Sequence, residues 1–210
     1  MKIMKCLLIS IILIIILFII YQNTYNYQNN LNDNVIYIKN YFSNDDFIKV
    51  QQLLNNNRED FIYENFRYIK PIYDENILDI LYSPNSIDKI QPFINNKIFK
   101  SNFPPEYRMY PSHSKGMPWH SDTLLYDKPQ YEVIFTLSNG SNSVTEWIDD
   151  NNTLHTLWTE PNSILIVKAD GYKHHVTPIT NNGTRTIIKY ILTQSENFNE
   201  NYRNELQRFK

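Results

Sequence analysis

From about residue 97 to residue 192 the chain is a succession of short β-rich runs broken by turn signals, and this pattern limits the fold more than any other feature. Strands are expected near 97–100, 106–110, 117–122, 131–137, 143–148, 153–158, 163–169, 173–177 and 185–192. Between them lie Pro104-Pro105, Asn139-Gly140, Asp149-Asp150-Asn151, Pro161-Asn162, Asp170-Gly171 and Asn182-Gly183, each with the chemistry of a turn. So many short strands can share a core only as a sandwich or barrel, and a double-sheet jelly roll satisfies the pattern. Ahead of them, Val35-Ile36-Tyr37-Ile38 reads as a strand. Ser43 or Asn44 can cap a helix over roughly 45–56, whose Phe47, Val50, Leu53 and Leu54 recur at helical spacing. A second helical region covers roughly 74–95, interrupted at Ser83-Pro84. These helices would cover one sheet, giving a mainly β domain with flanking helices over 35–196 and a polar tail over 197–210.

The N-terminus differs. Cys6 to Ile20 is apolar apart from Ser10, and with its flanks it suits a membrane-spanning signal-anchor helix over 1–21. A cleaved signal peptide is the alternative, but Tyr21-Gln22-Asn23-Thr24-Tyr25 offers no small-residue cleavage site. Lys2 and Lys5 precede the run, and no Lys or Arg follows before Lys39. The positive-inside rule therefore places the domain on the lumenal or extracytoplasmic side. Residues 22–34, rich in Asn, Gln and Tyr, read as a polar stalk.

At 210 residues and a formal charge of −2, the chain has no basic footprint for nucleic acid. Its single cysteine, Cys6, lies in the apolar run, so the domain has neither disulfides nor a thiolate metal site.

Chemistry concentrates in two places. Met117-Pro118-Trp119-His120-Ser121-Asp122 contains His-x-Asp, and on an extended backbone residues i and i+2 face the same way. Tyr172-Lys173-His174-His175-Val176-Thr177-Pro178 can bring a further imidazole from a distant strand. Two histidines and a carboxylate make the facial triad of non-heme iron(II) oxygenases, with positions left open on the metal. A 2-oxo acid that chelates there needs an anchor for its far carboxylate. Arg185, one expected hairpin later, has the planar fork and permanent charge for that task. Trp119 and Trp147 are expected in the core, and His113 and His155 on the surface or behind the ligands.

Taken together, these motifs resemble the 2-oxoglutarate- and iron-dependent oxygenases of the prolyl 4-hydroxylase type. The resemblance covers roughly residues 35–194 and is strongest over Tyr110–Asp122 and His174–Arg185. It implies a double-stranded β-helix, the jelly-roll variant of that family. It implies His120 and Asp122 as the first two iron ligands, Arg185 on the 2-oxoglutarate carboxylate, and Tyr110 in the co-substrate pocket. For the third ligand, alignment on His-x-Val-x-Pro gives His174, whereas distance to Arg185 gives His175. His174 is favoured, because a hairpin absorbs one extra residue (Asn181-Asn182) while a slip inside a strand turns every side chain over.

By resemblance the activity is hydroxylation coupled to conversion of 2-oxoglutarate into succinate and carbon dioxide. The cofactors would be Fe(II) and 2-oxoglutarate, with ascorbate as a reductant. A peptidyl residue such as proline, in the secretory path, is the expected substrate. A small-molecule or lipid hydroxylase of the same fold, or a catalytically silent binding module, are the alternatives.

Overall fold

The computed structural model describes residues 34–55, 61–64 and 66–209. The apolar run 6–20 and most of the stalk lie outside the described residues. Among the described residues, no helix is long and apolar enough to cross a membrane.

The element order is β1 (Val35–Ile38), α1 (Asn44–Asn55), β2 (Ile62–Glu64), β3 (Arg67–Pro71), α2 (Glu75–Leu81), α3 (Pro84–Ile90), β4 (Phe99–Lys100), β5 (Glu106–Tyr110), β6 (Met117–His120), β7 (Tyr131–Asn139), β8 (Thr145–Ile148), β9 (Leu154–Leu157), β10 (Ser163–Lys168), β11 (His174–Val176), β12 (Arg185–Thr193) and α4 (Glu200–Leu206). An eight-stranded antiparallel sheet runs β1-β10-β7-β12-β5-β3-β2, with β4 also on β12. A four-stranded sheet runs β6-β11-β8-β9. From β5 onward the chain passes back and forth between the two sheets, with only the β8–β9 pair staying within one, as in a jelly roll.

The large sheet is buried on both faces, so its strands are not simply amphipathic. Tyr131, Val133, Phe135 and Leu137 of β7, with Ile188, Tyr190 and Leu192 of β12, join the core beneath the helices, where Val50, Leu54, Ile77 and Leu81 meet them. The alternate residues face the small sheet. On that face β12 presents Arg185, Ile187 and Lys189, and β5 presents Glu106, Arg108 and Tyr110. Charge on this inner face is what a core strand lacks and a site needs.

Local signals explain the helices. The Ser43 Oγ accepts from the Asp46 N–H (3.1 Å) and donates to the Asp46 carboxylate (2.8 Å), closing the start of α1. Asp74 caps α2, and Ser83 caps α3 with a Pro in its first turn. The expected interruption at Ser83-Pro84 is therefore a true helix start. Asn162, at φ 59°, both accepts from Phe42 N–H and donates to Phe42 C=O, pinning the lead-in strand to the β10 end of the sheet.

Three expectations need correction. Residues 177–184 are not a hairpin: β11 and β12 belong to different sheets, and the segment crosses between them. The extra Asn is absorbed by a side-chain turn, where Asn181 Oδ1 accepts from Gly183 N–H and its amide donates to Gly140 C=O. A Cβ at Gly183 would lie 2.0 Å from the Gly140 carbonyl oxygen, so that crossing requires glycine. The polar tail over 197–210 contains α4, whose Tyr202 is buried among Phe103, Tyr126, Leu125 and Ile191. Strands β2 and β3 were not foreseen.

Candidate metal centre and co-substrate pocket

His120 ends β6, and its register partner on the neighbouring strand is His174 of β11. Gly116 makes this approach possible: at φ +74°, a Cβ there would lie 2.2 Å from the Val176 carbonyl oxygen. Asp122 follows β6 in a loop held from behind. Its backbone carbonyl accepts from Asp170 N–H (3.0 Å), and the neighbouring Ser121 hydroxyl donates to Gly171 C=O (3.3 Å).

The donor atoms of His120, Asp122 and His174 lie within 4.8 Å of one another. His120 Nε2 is 3.9 Å from Asp122 Oδ1, and His174 Nε2 is 3.5 Å from Oδ2. These gaps exceed good hydrogen-bond lengths and suit donors arranged about a shared cation. Each imidazole is also fixed in tautomer. His120 Nδ1 sits 2.8 Å from Pro118 C=O, and His174 Nδ1 sits 3.1 Å from Tyr172 C=O. A carbonyl can only accept, so Nδ1 carries a proton, and in the neutral tautomer this leaves the Nε2 lone pair toward the triad. Burial, and next the neighbouring His174, lower the His120 pKa, which favours the neutral ring that binds metal.

The choice between His174 and His175 is decided by where the rings point. His175 turns to the opposite face of β11, stacks on Trp119 at 4.1 Å, and its Nε2 lies 2.7 Å from the Glu146 carboxylate. Only His174 converges with His120 and Asp122. Trp119 is 44% exposed, contrary to its expected place in the core, because the outer face of the small sheet is uncovered there. Trp147 is partly buried against Leu165 and Val167, stacked on His155, and His155 is bound to Asp149 at 2.9 Å. His113, at φ 63°, is exposed.

Arg185 and Tyr110 are register partners on β12 and β5, and both line the cavity that holds the triad. Arg185 is 3% exposed, its Nε has no hydrogen-bond partner, and among the described residues no carboxylate forms a salt bridge with it. Burial lowers its pKa against the pull of Tyr110. A buried guanidinium without an anion is a costly arrangement unless an anion arrives. For Tyr110, burial alone would raise the phenol, but Arg108, Arg67 and Arg185 outweigh it and pull the pKa down.

Sequence reasoning missed the rest of the inner face. Arg108 sends two N–H groups to Glu106, both at 2.7 Å, and Arg208 donates to the same carboxylate at 2.9 Å. Burial would raise Glu106, yet Arg108 and Lys189, and then Arg208, hold its pKa down at about 2. Lys189 pairs with Glu132 at 2.5 Å. Burial, with the Asp122 charge, still raises the Glu132 pKa. The signal was available as charged residues two apart on strands otherwise built of Ile, Val and Tyr.

No protein-family model and no curated protein sequence matches the chain. Solved structures do. An oxidoreductase of the 2OG-Fe(II) oxygenase family from Burkholderia pseudomallei matches at TM-score 0.69 with 11% identity, over 82% of this chain and 91% of that one. The fold is that of the 2-oxoglutarate- and iron(II)-dependent oxygenases. A Trichoplax adhaerens prolyl hydroxylase bound to a hypoxia-inducible-factor peptide matches at 0.62 with 16% identity, over 88% and 96% of the two chains. HygX of Streptomyces hygroscopicus, with nickel and 2-oxoglutarate bound, matches at 0.61 with 10% identity, over 78% and 84%. The oxygenase fold thus brings together all five residues singled out in the sequence: His120, Asp122, His174, Arg185 and Tyr110.

Proposed function

We propose that the chain is an Fe(II)- and 2-oxoglutarate-dependent dioxygenase. The observation that carries this is one cavity holding both a His, Asp, His donor set and a buried Arg185 whose Nε is unpartnered. The residues fit both groups. His120, Asp122 and His174 supply the ligand types of the facial triad. Arg185 supplies a fixed positive charge for the far carboxylate, and Tyr110 a hydroxyl beside it.

Bound iron would supply dioxygen activation, with 2-oxoglutarate consumed to succinate and carbon dioxide as a substrate C–H bond is hydroxylated. The chain's residues set the stage for this. The Pro118 and Tyr172 carbonyls orient the imidazoles, and the 170–171 turn fixes the Asp122 backbone. Arg185 orients the co-substrate, and the burial of Arg185 and His174 limits water at that end of the cavity.

For the substrate we propose a peptidyl residue such as proline. This is supported by the peptide-bound hydroxylase among the structural neighbours. Anchoring by residues 6–20 with a lumenal domain, and ascorbate as reductant, belong to the same reading and rest on the sequence. The test begins with anaerobic loading of Fe(II), followed by succinate release with 2-oxoglutarate and oxygen, with and without candidate proline-containing peptides. Succinate that depends on iron and is stimulated by a peptide is expected. Absence of any iron-dependent succinate contradicts the reading.

A further inference from the structure

A second cavity shares His120 and Asp122 with the first, but extends away from Arg185 toward β3 and α4. Arg67, Arg108, Lys189 and Arg208 supply its cations. Most of these are already matched. Lys189 is paired with Glu132, Arg208 with Glu106 and Glu205, and Arg108 with Glu106. Of the carboxylates, Asp122, Glu132 and Glu205 line the cavity, while Glu64 and Glu106 do not. Glu106 accepts from Nε and Nη2 of Arg108, one edge of that guanidinium.

Arg67 is the exception. It is 5% exposed, and its Nε has no hydrogen-bond partner. Its nearest carboxylate, Glu64, is 3.6 Å away, only part-buried, and lies 3.9 Å from Arg208 as well. Its other contacts are the Met117 sulfur at 3.9 Å and the Phe66 ring at 5.1 Å. A buried guanidinium this weakly compensated is a standing cost to the fold, which an arriving anion would offset. Arg67 lines the same cavity as His120 and Asp122, so such an anion would share that space with the triad.

We propose that Arg67, seconded by Arg108, forms a carboxylate-recognising subsite, so that the molecule oxidised at the triad carries an acidic group. This rests on the oxygenase reading and narrows it. The carboxylate can belong to an acidic side chain of a peptide or to a free organic acid. In either case it docks in the second cavity while 2-oxoglutarate occupies the Arg185 end. Arg67 would act by fixing the substrate's distance and orientation from the triad.

The test is calorimetric titration of the full chain loaded with nickel(II) and saturated with 2-oxoglutarate. One arm compares N-acetylglutamate N-methylamide with its glutamine isostere; the other compares glutarate with glutaramate. At least one acid should bind about tenfold or more tightly than its own amide, since a charged hydrogen-bond pair is exchanged for a neutral one. Whichever arm shows the difference identifies the source. Arg67→Gln should abolish the preference and leave 2-oxoglutarate affinity unchanged, while Arg67→Lys, which keeps the charge but not the fork, should retain part of it. Acid and amide binding alike in both arms, or neither binding, overturns the inference even if no variant folds. A fall in 2-oxoglutarate affinity in Arg67→Gln also overturns it, because Arg67 would then serve the co-substrate. Failure of the unaltered chain to bind 2-oxoglutarate would contradict the oxygenase reading itself.

Discussion

Replacing Arg185 with Leu should move two measurements in opposite directions. Arg185 is 3% exposed, its Nε is unpartnered and no carboxylate forms a salt bridge with it among the described residues, so without ligand its burial is a net cost. Leucine at that position removes a desolvated charge from a cavity already lined by Ile134, Ile187 and Val176. Thermal stability of the ligand-free variant should therefore hold or rise, in contrast to most changes at buried positions. Binding of 2-oxoglutarate should fall steeply. Truncating one partner of a buried charge pair costs about 2–5 kcal/mol, or roughly 30- to 4,000-fold in Kd. The complete burial of Arg185 argues for the upper part of that range. The assay is calorimetric titration of 2-oxoglutarate into nickel-loaded protein, paired with a melting curve of the ligand-free form. An affinity within about threefold of the parent chain, or a collapse of the ligand-free fold, would refute the reasoning. The first result would mean the carboxylate lies elsewhere; the second, that Arg185 is a structural residue.

Other consequences follow from the buried charges and the packing. Glu106→Gln should destabilise by about 3–5 kcal/mol, read as a lower melting temperature, because Arg108 would lose its buried counter-charge. The native Glu106 pKa of about 2 lies below the unfolded value. Its stabilisation is thus fully present above the ordinary carboxylate range and is lost as pH falls toward about 2, so Glu106→Gln should flatten the acid limb of stability against pH. Tyr202→Ala should cost about 3–5 kcal/mol in a denaturant titration, since the ring is packed between Phe103 and Tyr126. The chain has three Asn-x-Ser/Thr glycosylation sequons at Asn139-Gly140-Ser141, Asn151-Asn152-Thr153 and Asn182-Gly183-Thr184; if the domain is lumenal, Asn151 and Asn182 are exposed glycan acceptors, whereas Asn139 is buried with its amide bound to Thr159 C=O. Mass shifts on deglycosylation should vanish in an Asn151→Gln, Asn182→Gln double variant.

The strands from β4 to β12 were legible because each is a short run between turn residues, and the jelly roll followed from their number. His120 and Asp122 were legible because alternation along an extended segment puts them on one face. The third member of the cluster, His174, was recoverable from Val176 and Pro178, since the insertion at Asn181-Asn182 could be assigned to the connection before Arg185. Other features needed three dimensions. Strands β2 and β3 are short, and Ile62 and Tyr63 are exposed, so no periodicity marks them. α4 buries one main aromatic, Tyr202, in an otherwise polar stretch, which in sequence looks like a tail. Arg67 could not be tied to the triad, because the antiparallel pairing of β3 with β5 places it there. Trp119 was misjudged because aromatic size argues for burial, while the small sheet leaves its outer face open.

The central claim is that this chain holds a metal through His120, Asp122 and His174. Metal binding by nickel(II) titration of the full chain, compared across four proteins, tests it most directly. The parent chain and His175→Ala should each bind one equivalent with similar affinity, as His175 faces Trp119 and Glu146. Asp122→Ala and His174→Ala should remain folded and lose tight binding. Undiminished binding in Asp122→Ala and His174→Ala, or loss confined to His175→Ala, would contradict the account.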